Sequence, residues 1–190
     1  MILHWPKEER VTLASSQLAQ LVITVPAPYG ADLAYRARMR ITIGVLTQLI
    51  ARSQHELVIA APFLQRDQGL NRPPLSDALD AALARHVHIH IASTGASLQH
   101  LKIGSDLDKY KSQIHFYQPQ ANIDNPEELG SHAKFCLADG ELAYIGSANL
   151  TQPGLGRHLE LGILVEGSVA HQVYAFWRYL LQIGVFVLVP

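Results

Sequence analysis

From residue 20 onward, short β-branched runs alternate with stretches whose apolar positions recur at helical spacing, a pattern that predicts helices layered on a sheet. Leu21 to Val25 is the first predicted strand, closed by Pro26 and Pro28. Ala31 to Arg52 carries Leu33, Ile41, Val45 and Leu49 at near-helical spacing and predicts a helix that Gly44 weakens. Leu57 to Phe63 is continuously apolar, as a strand covered on both faces is, with Pro62 at its end. Pro73 and Pro74 open a helix with Leu75, Leu79, Ala82 and Leu83 on one face, and Val87, Ile89 and Ile91 then alternate as a strand. This β-α-β unit predicts two parallel strands joined by a right-handed crossover.

Further along, Ser97 to Ser112 predicts an irregular helix broken at Gly104, Ile114 to Tyr117 a strand, and residues 119–131 a surface loop. Two strands near Ala133 to Leu137 and Leu142 to Ile145 are hinged at Asp139-Gly140 as a tight hairpin. Leu159 to Val165 is another strand. Ser168 is the expected cap of a final helix that turns Val169, Val173, Phe176, Trp177, Leu180 and Leu181 to the core and stops at Gly184. The expected fold is a single α/β domain over residues 1–190, an α-β-α sandwich with a mixed, largely parallel central sheet.

Composition narrows the function. The chain has 190 residues, 48% hydrophobic and 16% charged, enough apolar material for one real core and too much for disorder. Lys plus Arg total 15 against 16 acids, so the net charge is −1 and any anion site must be local. The single cysteine, Cys136, excludes an internal disulfide and a Cys-rich zinc module. No run approaches the roughly 20 apolar residues that span a bilayer, and residues 1–10 do not read as a secretory signal. The expectation is a cytoplasmic protein with no stable membrane insertion.

The chemistry concentrates in S-H-A-K-F-C-L-A-D-G-E-L-A-Y-I-G-S-A-N-L, which holds His132, Lys134, Asp139, Gly146, Ser147 and Asn149 in the order H-x-K-x4-D-x6-G-S-x-N. Two residues apart on a strand, His132 and Lys134 project from the same face. The hairpin return brings Ser147 and Asn149 to the neighbouring strand end. One imidazole, one fixed cation and two hydrogen-bonding groups suit a phosphoryl group better than a carbonyl.

This run resembles the phospholipase D superfamily, whose HKD signature has this spacing and is followed by the same Gly-Ser-x-Asn; six specified positions make a chance match rare. Glu160 stands eleven residues beyond Asn149, where family members commonly place a glutamate that hydrogen-bonds the catalytic histidine. His158 departs from the pattern, since many members have Asn there. The resemblance implies a phospholipase D-like fold and a phosphodiesterase in which one neutral histidine attacks phosphorus while a second, protonated, serves the leaving oxygen. With one motif per chain, it implies a homodimer in which His132 of each protomer serves a shared site. Lys134, Ser147 and Asn149 would bind phosphate, and Glu160 would orient His132. Asp139 would support the loop and balance charge. The scheme calls for no metal and no cofactor.

The small single-motif bacterial members point to nucleic acid as substrate, and the near-neutral composition to single strands or ends rather than long duplex. The segment before Leu57 to Phe63 also resembles the phospholipase D-like accessory proteins of phage-defence cassettes, which makes defence-complex partners an expectation. Two other functions stand beside this one: a lipid hydrolase using Tyr179 to Pro190 as an apolar rim, and a non-catalytic nucleic-acid-binding module. Elsewhere, Cys136 reads as a small buried residue. His86, His88 and His90 form a half-buried polar face, with a metal site as the competing use. Arg36, Arg38 and Arg40 form the one dense basic cluster, with Arg36 and Arg40 on one helical face.

Overall fold

The computed structural model describes residues 19–29, 32, 35, 39–64, 69–94, 97–98, 110–120 and 131–189. In chain order its elements are β1 (Gln20–Thr24), β2 (Arg40–Ile41), α1 (Thr42–Arg52), β3 (Glu56–Ala60), α2 (Leu75–Ala84), β4 (His88–Ala92), β5 (Ile114–Pro119), β6 (Phe135–Ala138), β7 (Leu142–Gly146), α3 (Gln152–Gly156), β8 (Glu160–Glu166), α4 (Ser168–Gln182) and β9 (Phe186–Leu188). The strands form one sheet in the order β2-β1-β8-β7-β6-β3-β4-β5-β9.

Helices cover both faces. Leu57 and Ile59 of β3 join the core under α1 and α2, where Val45, Leu46, Leu49 and Ile50 make the apolar stripe of α1. Val58 and Ala60, of opposite parity, pack in the core beneath α4, around Trp177. This two-sided burial is why β3 reads as an unbroken apolar run. The predicted β-α-β unit is present: Leu57 lies opposite Ile89 in the parallel β4. On its other side β3 meets the start of the motif segment, with Ala60 opposite Phe135 in the antiparallel β6.

The sheet is mixed, but its parallel share is smaller than expected. Three neighbouring pairs are parallel and five antiparallel. The β3–β4 and β4–β5 pairs make up the crossover half and the third parallel pair, β1–β2, lies at the opposite edge, while β6, β7 and β8 run antiparallel between them. Asp139 and Gly140 turn the β6–β7 hairpin with φ of 52° and 73°, the left-handed conformation that Asp-Gly tolerates.

Four local expectations change. The run from Ala31 to Arg52 is not one helix: Arg40 and Ile41 pair with Val22 and Ile23 of β1, and α1 starts at Thr42. Arg40 therefore sits on a strand, its guanidinium donating to the side chains of Gln20 and Gln48, while Arg36 and Arg38 lie outside the described residues. Gly167, with φ of 65°, is the N-cap of α4; Ser168 is its first helical residue. Phe176 is exposed on α4, while Trp177 is buried and Val169, Val173, Leu180 and Leu181 pack around the same core. Beyond Gly184 the chain adds β9, an edge strand antiparallel to β5. Most of the predicted helix from Ser97 to Ser112, and residues 121–130 of the predicted loop, lie outside the described residues. No helix among the described residues is long and apolar enough to cross a membrane.

Candidate active site

The start of β6, the end of β7 and the start of β8 meet at one end of the sheet. Gly146 N–H donates to the Lys134 carbonyl at 3.1 Å, and Ser147 N–H donates to the Leu161 carbonyl at 3.0 Å. His132, Lys134, Ser147 and Glu160 are thus carried on three adjacent strands spaced about 4.8 Å apart. Lys134 is 7% exposed, an unusual place for an ammonium. Its Nζ donates to the His132 carbonyl at 3.0 Å and stands 3.1 Å from His132 Nδ1. Burial holds the Lys134 pKa below its ordinary value against the opposite pull of Glu160. With Nδ1 accepting from an ammonium, the neutral imidazole carries its proton on Nε2, a tautomer assigned from its partner. The His132 side chain itself is exposed.

Ser147 and Glu160 form a second unit. Ser147 Oγ accepts the Leu161 N–H at 3.1 Å and donates its proton to Glu160 Oε2. The other carboxylate oxygen, Oε1, stands 3.7 Å from His158 Nδ1. Within the chain, then, Glu160 is joined to Ser147 and His158 rather than to His132. The only side-chain proton of Ser147 is committed to Glu160, so this hydroxyl positions the carboxylate.

Asn149 lies in the loop that leads to α3. Its Oδ1 is buried and has no hydrogen-bond partner. The loop closes tightly: a Cβ at Gly154 would meet the Asn149 carbonyl and stand 2.9 Å from its nitrogen. Thr151 Oγ1 accepts the Gly154 N–H, capping α3.

Asp139 is at the far end of β6, five residues or roughly 16 Å from Lys134 along the strand. Its carboxylate accepts the N–H groups of Gln54, His55 and Glu56 at 2.7, 2.8 and 2.8 Å. It ties the α1–β3 turn to the hairpin. Of the two roles expected for it, loop support is the one this geometry serves.

Some contributors carry no chemistry and escaped the sequence reading. Tyr144, 2% exposed, lies over the facing pair Gly146 and Gly162; a Cβ at Gly162 would stand 2.6 Å from its ring. Glycine in both strands makes room for the ring that underlies the site. The signal available in the sequence was a glycine inside the apolar run of β8.

Two further clusters resolve. Cys136 is buried in the core, and burial pushes its thiol up to about 12. At the sheet end opposite the motif, His88 and His90 of β4 stack with His115 of β5, with ring centroids 5.9 and 5.0 Å apart from it. His90 Nδ1 is 3.1 Å from the Tyr117 hydroxyl, and Nε2 is 3.4 Å from Glu56 Oε1, an oxygen that makes no hydrogen bond. No group of three or more His, Cys, Asp or Glu among the described residues is arranged to hold a metal ion. The expected histidine face changes membership: His86 falls in the turn before β4, with φ of 65°, and His115 of β5 stacks with His88 and His90 instead.

A mixed sheet between helices, with His, Lys, Ser, Asn and Glu gathered at one strand end, defines a domain of the phospholipase D type. The chain belongs to the family described as cardiolipin synthase, PLD-like domain, whose model matches residues 46–179. It shares its fold with NucT from Helicobacter pylori, at a TM-score of 0.62 and 15% identity, over 91% of this chain and 99% of that one. The phospholipase D family member Nuc from Salmonella typhimurium is similar at a TM-score of 0.57 and 15% identity, over 92% and 99%. Phosphatidylserine synthase from Haemophilus influenzae Rd KW20 matches at 0.64 and 14% identity, over 94% of this chain but 41% of its own. In sequence the chain is 24% identical over 155 residues to the DISARM protein DrmC of Bacillus paralicheniformis, covering 78% of this chain and 57% of that protein. The chain thus spans somewhat more than half the length of this curated relative.

Proposed function

We propose that the chain is a metal-independent phosphodiesterase, a nuclease, that works through a phosphohistidine at a site shared by two protomers. The observation that carries the reading is Lys134, 7% exposed with Nζ 3.1 Å from His132 Nδ1. A buried ammonium against an imidazole is a poor arrangement until an anion joins them.

Phosphate entry draws Lys134 to a non-bridging oxygen and frees Nδ1 to take the ring proton, which bares the lone pair of Nε2. That nitrogen attacks phosphorus, and the bond to the leaving oxygen breaks as the N–P bond forms. The partner's His132, protonated, gives its proton to the leaving oxygen. It then takes one from the water whose oxygen displaces the first histidine. Asn149 donates to the second non-bridging oxygen, and Glu160, held by Ser147, supplies the carboxylate that balances the imidazolium. The paired lysines neutralise the phosphate without a metal.

A covered site of this kind needs a second copy, and an apolar surface suitable for one borders it. Leu161 and Ile163 of β8 and Leu21 of β1 are exposed on one face of the sheet, in register with one another, and Leu161 is hydrogen-bonded to Ser147. The likeness to DrmC supports a place among phage-defence proteins, with complex partners beyond its own copy. A lipid reading is less favoured: Tyr179 to Pro190 contributes β9 at the sheet edge, four strands from β6 and about 19 Å away.

The test is hydrolysis of bis-p-nitrophenyl phosphate and of labelled single- and double-stranded DNA and RNA in EDTA, by wild type and His132→Ala. Turnover in chelator that disappears in the variant is the expected result. No turnover by wild type on any of them overturns the proposal. Mixing His132→Ala with Lys134→Ala protomers should restore little activity, and full recovery would remove the shared site.

A further inference from the structure

At the departure from the family pattern, an arginine and a histidine flank the site. The Pro153 carbonyl accepts both the Arg157 N–H at 2.8 Å and the His158 N–H at 2.7 Å, so the segment entering β8 is pinned to the first turn of α3. His158 is 65% exposed in its side chain, and Glu160 Oε1 stands 3.7 Å from its Nδ1. One ring edge therefore faces the site carboxylate while Nε2 is left to solvent. Arg157 is exposed, and its guanidinium makes no ion pair among the described residues.

Charge makes this placement matter. The chain has a net charge of −1, and Lys134 is buried, so the scissile phosphate takes the one cation inside the site. A polyanion needs further cations close by. The start of β8 lies two strands from β6, about 10 Å. Three stacked nucleotides at about 3.4 Å each, or fewer extended ones, cover that distance.

We propose that Arg157 and His158 form a second phosphate subsite, which takes a non-scissile phosphate of the same nucleic-acid strand and selects a polynucleotide over a substrate with one phosphodiester. The inference rests on the phosphodiesterase reading, and it names the substrate class of that same site. A phospholipid with one phosphate, or a dinucleoside monophosphate, has no second phosphate to offer here. Arginine forks onto phosphate oxygens, and a histidine oriented by a carboxylate presents its free nitrogen in a fixed direction.

Binding tests this without turnover. Fluorescein-labelled 12-residue oligothymidylate is titrated by anisotropy into the full-length His132→Ala protein, with and without Arg157→Gln and His158→Asn together, over a salt series. The expected result is a rise in Kd of about tenfold and a salt slope smaller by about 0.7 for each phosphate that is no longer neutralised. Arg157→Lys should restore most of the slope. In the active chain, the preference for the 12-mer over the dinucleoside monophosphate in kcat/KM should shrink about tenfold through KM rather than kcat. Unchanged Kd and slope in the double variant would overturn the subsite, as would tighter binding to anionic vesicles than to the oligonucleotide. Absence of hydrolysis with the binding difference intact would refute the enzyme reading and leave the subsite standing. The segment is exposed, and a thermal melt of each variant checks that the fold is retained.

Discussion

Acid should loosen this protein through His90. Its side chain is 15% exposed, stacked on His115 and held between Tyr117 and Glu56. Its pKa is lowered to about 4, first by burial and then by the charges of His115, His88 and Arg178. An unfolded histidine titrates near 6.5, so the unfolded chain takes up a proton that the folded one refuses over the window between. The stability that neutral His90 contributes is full above about pH 6.5 and is lost progressively as pH falls toward 4. At pH 5 the loss comes to about 2 kcal/mol. That is an upper figure, because the Glu56 carboxylate 3.4 Å from Nε2 favours the charged ring. In a chain of this size it corresponds to a drop of roughly 4–8 °C in melting temperature. His90→Gln keeps an acceptor for the Tyr117 hydroxyl and cannot titrate. Urea denaturation and thermal melts of both proteins at pH 7.5 and pH 5 should show the variant losing less by that amount. Equal losses in the two proteins would refute the reasoning.

Asp139→Ala takes the acceptor from three backbone N–H groups and should cost about 2–3 kcal/mol in urea denaturation. At temperatures where it is folded, the variant should keep kcat within about threefold on bis-p-nitrophenyl phosphate. Gly154→Ala drives a Cβ into the Asn149 backbone, so turnover should fall at least tenfold while circular dichroism still reports a folded chain. Cys136, buried with its thiol raised to about 12, should resist a thiol reagent at pH 8 in the native state and react at once in denaturing urea.

The motif was legible because its side chains are fixed by chemistry at fixed spacing, and strand parity alone puts His132 and Lys134 on one face. The β6–β7 hairpin was legible in Asp139-Gly140, and the β3–α2–β4 crossover in its apolar periods. What escaped depends on partners remote in sequence. Arg40 and Ile41 continue a helical period but are taken by β1, a tertiary pairing that overrides local preference. Phe186 to Leu188 become a strand only because β5, some 70 residues earlier, leaves an open edge. The hairpin placed Asp139 at the turn, but not its bonds to the amides of Gln54, His55 and Glu56, which lie more than 80 residues earlier in the chain. The short link between Glu160 and His158 was hidden for a different reason, since a motif that expects Asn at that position gives no partner for an imidazole.

Lys134 joins these observations. Burying an ammonium costs free energy unless its N–H groups find acceptors, and this one has the His132 carbonyl and His132 Nδ1. Its lowered pKa says that the nearby Glu160 carboxylate does not make up the deficit. Glu160 is instead turned toward Ser147 and His158, and Asp139 is spent on backbone amides at the far end of β6. Glu160 is thus engaged by other groups, Asp139 is too far along the strand to reach Lys134, and the buried Asn149 Oδ1 has no hydrogen-bond partner. A buried cation that no carboxylate quenches fits the phosphodiester proposed for this site, which would enter from the exposed side of His132.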